Sequence, residues 1–406
     1  MSFASLLDFA ARCGGSFFAL FTMSPGKSPS PVLIIEPFPY HEQVFLPMVE
    51  VFSSLGQAVD LVTVPGALVL NSERELLSDF PRMSLYLESL GSLSEIVDVM
   101  LRYRVWRYRT VIISTATKDT WRIVLLALLM ARRVSIVVHH TDQFPSPVCS
   151  MKTVFGRIFS FLVSWLVYSF ILLSEETAVH LKCRTCPRVS QKIKVFRPLV
   201  RCVPRRLESS KVRFAVPGAI NPQRRNYESL LQALEELGDS VNDVEILLIG
   251  SGQEHCQSML ERFRQIPQVK LLLKWVSQDE FAKSLADCHY LLPLVDGTVE
   301  LAYGKLRVAS SFFWGEGLPL PMILSDDYPN LGTVGCSSGI LYYGAKRSLS
   351  AVMREGVDLV FSGTYPDLYR QILDRRGVIS LRNEKMLASL LTFTGGSASL
   401  VEHHDE

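Results

Sequence analysis

The chain has 406 residues, 48% of them apolar and 20% charged, with a formal net charge of +2. That balance excludes a disordered chain, gives no electrostatic reason for a nucleic-acid partner, and leaves room for two domains. Eight cysteines in so long a chain do not make a disulfide scaffold and read as reduced thiols.

Residues 2–23 are mildly apolar, but Asp8 and Arg12 interrupt them and no basic n-region precedes them. They do not read as a secretory signal, and 1–29 is treated as an N-terminal extension of a cytoplasmic protein. Residues 31–39 read as a first strand ending in a turn, with Glu36 and Tyr40 as weak cleft candidates. An amphipathic helix follows over 41–55, then a strand over 58–64. Residues 84–106 read as helical, with Arg102, Arg104, Arg107 and Arg109 near the end. A buried strand over 110–114 leads to Ser114, Thr115 and Thr117, candidate caps for the apolar helix 123–132. Residues 134–139 form another strand that runs into His140 and Asp142.

This alternation predicts a doubly wound α/β domain over 30–205 with right-handed crossovers. Ligands of such sheets sit outside the carboxyl ends of the strands. His139 and His140 are therefore candidates for a group that takes a proton from an acceptor hydroxyl, or orients it, near neutral pH. Adjacent side chains point in different directions, so at most one of them acts. Packing in a polar loop is the competing reading.

Residues 154–174 are the one stretch apolar enough to weigh as a membrane span. Arg157, Ser160, Ser164 and Ser169 interrupt it. The preferred reading is a buried helix running into a strand at 170–173, with a helix start at 174–177; a helix lying in the membrane interface is intermediate. Between Lys182 and Arg213 eleven Lys and Arg residues accompany one acid, Glu208. Pro198 and Pro204 mark a linker there. The run reads as a solvated connector or as a surface for anionic lipid headgroups or a diphosphate-bearing acceptor. Cys183 and Cys186 have metal-ligand spacing, yet with His180 and Cys202 they do not complete a zinc pattern, and no metal is expected.

A second α/β domain is predicted over 206–365, then C-terminal helices over 366–391 and a disordered tail over 392–406. In the loop PGAINPQRRNY, Gly218 permits close backbone approach to a ligand, and Arg224 and Arg225 arrive as a helix begins. Free N–H groups, a positive dipole end and two guanidiniums suit a departing diphosphate; an exposed basic helix start is the competing reading. The turn at Gly250 (IGSGQE) lacks the third glycine of a dinucleotide fingerprint and reads as a tight strand-to-helix turn lining the same crevice. Lys274 and Trp275 end the next strand, where a base can pack. Glu300 can hold sugar hydroxyls or simply sit on a helix dipole, and Lys305 or Arg307 can face phosphates.

The order PGAINPQRRNYESLLQAL, ILLIGSGQE, WVSQDEFAKSLADCHYLLPLV and LPLPMIL resembles the C-terminal half of GT-B glycosyltransferases of the retaining, group 1-like type. The resemblance covers roughly 210–325 and reaches the first half only by architecture. It implies two Rossmann-like domains facing a cleft, with Gly218, Arg224 and Arg225 on the donor diphosphate. The family's paired glutamates stand seven residues apart. Here Val308 occupies the second position after Glu300, Glu316 is out of register, and Tyr303, Gly304 and Lys305 stand in their place. The function implied is sugar transfer from a nucleotide-diphosphate-sugar co-substrate to a hydroxyl acceptor, saccharide or lipid-linked, in polysaccharide or glycoconjugate synthesis. No other cofactor is implied, and the location implied is the cytoplasm, peripheral at the membrane. A nucleotide-sugar epimerase on the same plan and a catalytically silent binding relative are the alternatives.

Overall fold

The structure, a computed structural model, describes residues 32–39, 41–65, 80, 82–117, 120–141, 163–205, 207, 210–251, 256–274, 276–296, 306–326 and 339–392. They form two parallel sheets with helices on both faces. The first has strands β1 (Val32–Glu36), β2 (Val59–Thr63), β3 (Met83–Leu87), β4 (Thr110–Ile113), β5 (Val134–Val138), β6 (Ser169–Leu172) and β7 (Ile193–Val195), in the order β3-β2-β1-β4-β5-β6-β7. The second has β8 (Val212–Pro217), β9 (Val244–Ile249), β10 (Val269–Leu272), β11 (Tyr290–Leu291), β12 (Met322–Ser325) and β13 (Ile340–Tyr343), in the order β10-β9-β8-β11-β12-β13. Every pairing between them is parallel. The central strands are continuous apolar runs because both their faces are covered: all five residues of β1 and of β5 are buried.

Helices α1 (Glu42–Ser54), α2 (Leu93–Arg102), α3 (Trp121–Met130), α4 (Glu175–Cys183) and α5 (Pro187–Ser190) cover the first sheet. Helices α6 (Tyr227–Leu237), α7 (Gln257–Arg264), α8 (Gln278–Ala286), α9 (Ser310–Gly317) and α10 (Leu349–Phe361) belong with the second. The last helix, α11 (Tyr365–Leu391), has 27 residues and so spans about 40 Å. It starts on the second sheet, where the Tyr365 hydroxyl donates to the His289 carbonyl at 2.5 Å. It ends on the first, where Thr110 Oγ1 donates to the Leu390 carbonyl at 3.1 Å and Lys194 Nζ to Ser389 Oγ at 2.6 Å. The chain thus passes between the sheets twice, through the link 196–211 and through α11.

Two expectations are corrected. Residues 84–106 are not one helix. Met83–Leu87 pairs with β2, and the helix starts only after Gly91, where Ser92 and Glu95 form a reciprocal capping box that fixes its first turn. Ser114 and Thr115 do not cap α3; their hydroxyls bind the Glu36 carboxylate instead. Of the basic run 182–213, Lys182, Arg184, Arg188 and Arg201 are exposed and others are engaged within the protein. Lys192 Nζ donates to the carbonyls of Ser164, Trp165 and Val167 at 3.1, 2.8 and 2.7 Å. Arg205 Nη2 donates to the Cys288 carbonyl at 2.6 Å and to the Tyr365 hydroxyl at 2.8 Å, and Arg213 pairs with Glu245 at 2.8 Å. Arg197 is buried against Glu316.

Within 154–174, the strand expected at 170–173 is β6, Ser169–Leu172, and 163–166 are helical; 154–162 lie outside the described residues. No described helix is long and apolar enough to cross a membrane.

Candidate functional site

In each sheet the winding direction reverses once, between β1 and β4 and between β8 and β11. Crevices open outside the carboxyl ends of the strands at such reversals. The polar groups of both halves gather there.

At the first reversal Glu36 ends β1 and is fully buried. Its carboxylate accepts from the Phe38 backbone N–H at 2.8 Å, from Thr115 Oγ1 at 2.8 Å and from Ser114 Oγ. Thr115 Oγ1 also lies 3.0 Å from His41 Nδ1 and 3.3 Å from His139 Nε2. A hydroxyl has one proton, and Thr115 spends it on Glu36. His41 Nδ1 must therefore donate to Thr115, which leaves His41 Nε2 as the nitrogen with a free lone pair. The same argument fixes His139. Its Nε2 sits 2.8 Å from the Ser114 carbonyl, which can only accept, so Nε2 carries the proton. The rings of His41 and His139 lie 4.4 Å apart between centroids. Burial, then repulsion from His41, holds the His139 imidazole well below its ordinary range, and the bond to Ser114 offsets this only in part. His139 is thus a locked neutral donor to Ser114, and His41 keeps its lone pair on Nε2. His140, beside it, is half-buried.

Beside the second reversal, at the carboxyl ends of β8 and β9, two glycine turns cross. Gly218 has φ +100° and Gly250 φ +150°, both in backbone space closed to most side chains. A Cβ on Gly250 would stand 2.2 Å from the Gly218 carbonyl oxygen. The turns are tied by the Gly218 N–H to the Ile249 carbonyl at 2.8 Å and by the Ile220 N–H to the Ser251 carbonyl at 3.0 Å. Helix α6 begins at Tyr227, capped by Asn226, whose side-chain oxygen accepts from the Ser229 N–H at 3.0 Å. Arg224 is exposed just before the cap. Arg225 is buried and donates to the Pro293 carbonyl, with its guanidinium directly beneath Gly218. Asn226 Nδ2 donates to the buried Asp296 carboxylate at 2.7 Å, and its backbone N–H to the Leu294 carbonyl at 2.8 Å. Leu294 takes φ +53°, a costly conformation for a leucine, in the segment that leaves β11.

The two groups face one another across the sheets. Thr141, two residues beyond His139, donates its backbone N–H to the Leu306 carbonyl at 2.9 Å, and Gln278 Nε2 reaches Glu42 at 3.4 Å. The structure thus brings His139, His140, Gly218, Gly250, Arg224 and Arg225 to the carboxyl edges of the two sheets. Lys274 is exposed and paired with Glu280 at 3.0 Å. Glu300, Tyr303, Gly304 and Lys305 lie outside the described residues, as do Tyr40, Asp142 and Trp275. Glu316 is no sugar ligand. It is buried, and accepts from Arg197 Nε at 2.5 Å and from Arg375 Nη2 at 2.8 Å. Cys183, Cys186 and Cys202 are exposed free thiols, and among the described residues no three His, Cys, Asp or Glu side chains converge on a metal position.

Reading by sequence missed His41, Ser114 and Thr115 as partners of Glu36, and also Asn226 and Asp296. The available signal was position alone: each follows a strand's carboxyl end at a reversal of winding, and strand order is not visible in one sequence.

No protein-family model matches the chain, and no curated protein matches its sequence. Solved structures do match its shape. Anabaena HepE, in complex with UDP and glucose, superposes with a TM-score of 0.61 at 12% identity, covering 89% of this chain and 99% of that one. Sucrose-phosphate synthase from Thermosynechococcus elongatus gives 0.59 at 11%, again over 89% and 99%. A Listeria monocytogenes protein assigned as a UDP-N-acetylglucosamine 2-epimerase gives 0.50 at 10%, over 84% and 91%. With two parallel sheets, interleaved helices and facing carboxyl edges, the chain has the GT-B fold of glycosyltransferase structures.

Proposed function

We propose that the chain is a glycosyltransferase that moves a sugar from a nucleotide-sugar to a hydroxyl acceptor held between the two sheets. The observation that carries this reading is the backbone crossing of Gly218 and Gly250 at the ends of β8 and β9, beside the β8/β11 reversal, opposite a part-buried hydroxyl–imidazole–carboxylate cluster at the β1/β4 reversal. The two glycines let the loops pass each other at the strand ends, and Arg224 stands exposed beside them to offset the charge that grows as a diphosphate leaves. Arg225 supports the loop from beneath. Glu300, Tyr303, Gly304 and Lys305 follow the β11 reversal in sequence, and we assign them to the sugar and the distal phosphate.

In the step itself the acceptor oxygen bonds to the anomeric carbon as the bond from that carbon to the diphosphate oxygen breaks. We propose transfer with retention and without a metal, the departing diphosphate taking the acceptor proton. His139 Nδ1 and His41 Nε2, the ring nitrogens left with lone pairs, accept hydrogen bonds that orient the acceptor. If the acceptor oxygen instead attacks the anomeric carbon from the face opposite the departing diphosphate, with His41 taking its proton, the product is inverted. NMR of the product anomer separates the two.

The first test is calorimetry with UDP, GDP, ADP, CMP and dTDP. UDP is the first choice because HepE, of the same fold, is solved with it. Saturable binding of one nucleotide is expected, at least about tenfold weaker for Arg224→Ala with an unchanged melting temperature. No binding by a folded protein overturns the donor site and leaves a silent binding protein. The same fold also serves the protein assigned as an epimerase. Conversion of a UDP-sugar without any acceptor would select that chemistry.

A further inference from the structure

In a wholly parallel sheet every connection that leads into a strand lies at the edge opposite the carboxyl ends. Four such connections feed the neighbouring strands β4, β5, β6 and β7, whose spacing of about 4.8 Å makes their combined rim about 15 Å wide. Hydrogen bonds join them into one surface. The Val111 N–H donates to the Arg133 carbonyl at 2.9 Å, the Tyr168 N–H to the Val134 carbonyl at 2.8 Å, and Lys192 caps the carbonyls of 164, 165 and 167.

The rim combines two features. Leu129, Trp165 and Leu166 are 49–50% exposed. Between and beside them stand the exposed cations Arg107, Arg132, Lys182, Arg184 and Arg188, and the Arg188 guanidinium lies 3.6 Å from the centre of the Trp165 ring. None of these five pairs with a described carboxylate. The reason is in the sequence: between Leu101 and Leu207 the only acids are Asp119, Asp142, Glu175 and Glu176, and each follows the carboxyl end of a strand rather than leading into one. Cations at helix ends are favourable to the helix dipole in any protein. That does not explain three large apolar side chains left half in water among them.

We propose that this rim docks on a bilayer carrying anionic lipid. Arginines and lysines gain from the negative surface potential, Trp165 suits the headgroup level, and Leu129 and Leu166 gain by entering the acyl boundary. Aliphatic side chains gain nothing among the phosphates of a nucleic acid. The surface takes Lys182, Arg184 and Arg188 from the 182–213 run and adds Arg107, Arg132 and the three apolar side chains from other connections, and the proposal does not depend on the transferase reading.

The test is co-sedimentation of the full chain with phosphatidylcholine vesicles, with and without phosphatidylglycerol. Binding to the mixed vesicles alone is expected, falling with added salt. Trp165→Ala/Leu166→Ser is expected to weaken it at least about tenfold, and Arg132→Glu severalfold, while Lys346→Glu, the same charge change on the other half, leaves it intact. Arg132 is exposed, so its variant tests the rim without entering the core. Absence of binding to the mixed vesicles, equal loss with Lys346→Glu, or binding indifferent to both rim variants overturns the proposal.

Discussion

Burial of Glu316 between Arg197 and Arg375 turns a carboxylate that lies near the family's sugar-binding position in sequence into an anchor. Removing it leaves two buried guanidiniums without their shared partner, although Arg197 keeps its ion pair with Glu175 at 3.2 Å. Glu316→Ala is expected to cost about 3–5 kcal/mol in denaturant unfolding without changing nucleotide affinity beyond that loss of stability. A stable variant with weakened binding would reinstate Glu316 as a ligand. His289 offers a second test at this scale. Burial first, then Arg205 and Arg213, pushes its imidazole down to about 4. Between that value and the ordinary imidazole range the unfolded chain binds a proton that the folded chain does not. Stability is therefore complete above about pH 6.5 and is lost as pH falls toward 4, by about 2 kcal/mol at pH 5. His139 acts with the same sign. In His289→Gln the drop in urea midpoint from pH 7 to pH 5 should shrink by that amount; an unchanged profile would rule His289 out as its source. Neither role was legible in sequence, because a residue's partners come from distant segments.

Turns and strands were far more legible. Parallel strands buried on both faces leave continuous apolar runs, and the runs 212–216 and 244–249 are of that kind in β8 and β9. The glycines at 218 and 250 stood out as turns. Their crossing did not, since the close approach joins two separate loops. Gly250→Ala sets a methyl against the Gly218 carbonyl oxygen in a strained backbone. A cost of about 3 kcal/mol or more is expected from thermal melting, with loss of nucleotide binding. A variant of native stability would mean that the loops part easily. Where the periodicity misled, at 84–106, a helical pattern ran across a boundary that Gly91 and the Ser92–Glu95 box mark. The apolar and basic content of 163–192 was visible too, but which of its members reach solvent was decided only by the sheet order.

For the whole molecule, alternation of strand and helix was enough to predict two doubly wound sheets. Their strand orders, and hence the positions of the two reversals, were not predictable from one chain. The double passage between the sheets was equally hidden, since α11 reads locally as an ordinary helix. Its course has a mechanical consequence. A single tether would let one half swivel in any direction. Here the two passages are fastened side by side: the Arg197 N–H donates to Asn383 Oδ1 at 3.0 Å, and Asn383 Nδ2 donates to the Arg197 carbonyl at 2.7 Å. Two bound crossings act like the paired pins of a door. The motion expected of such a pair is a rotation about a line through Arg197 and Asn383, which opens or shuts the mouth between the carboxyl edges.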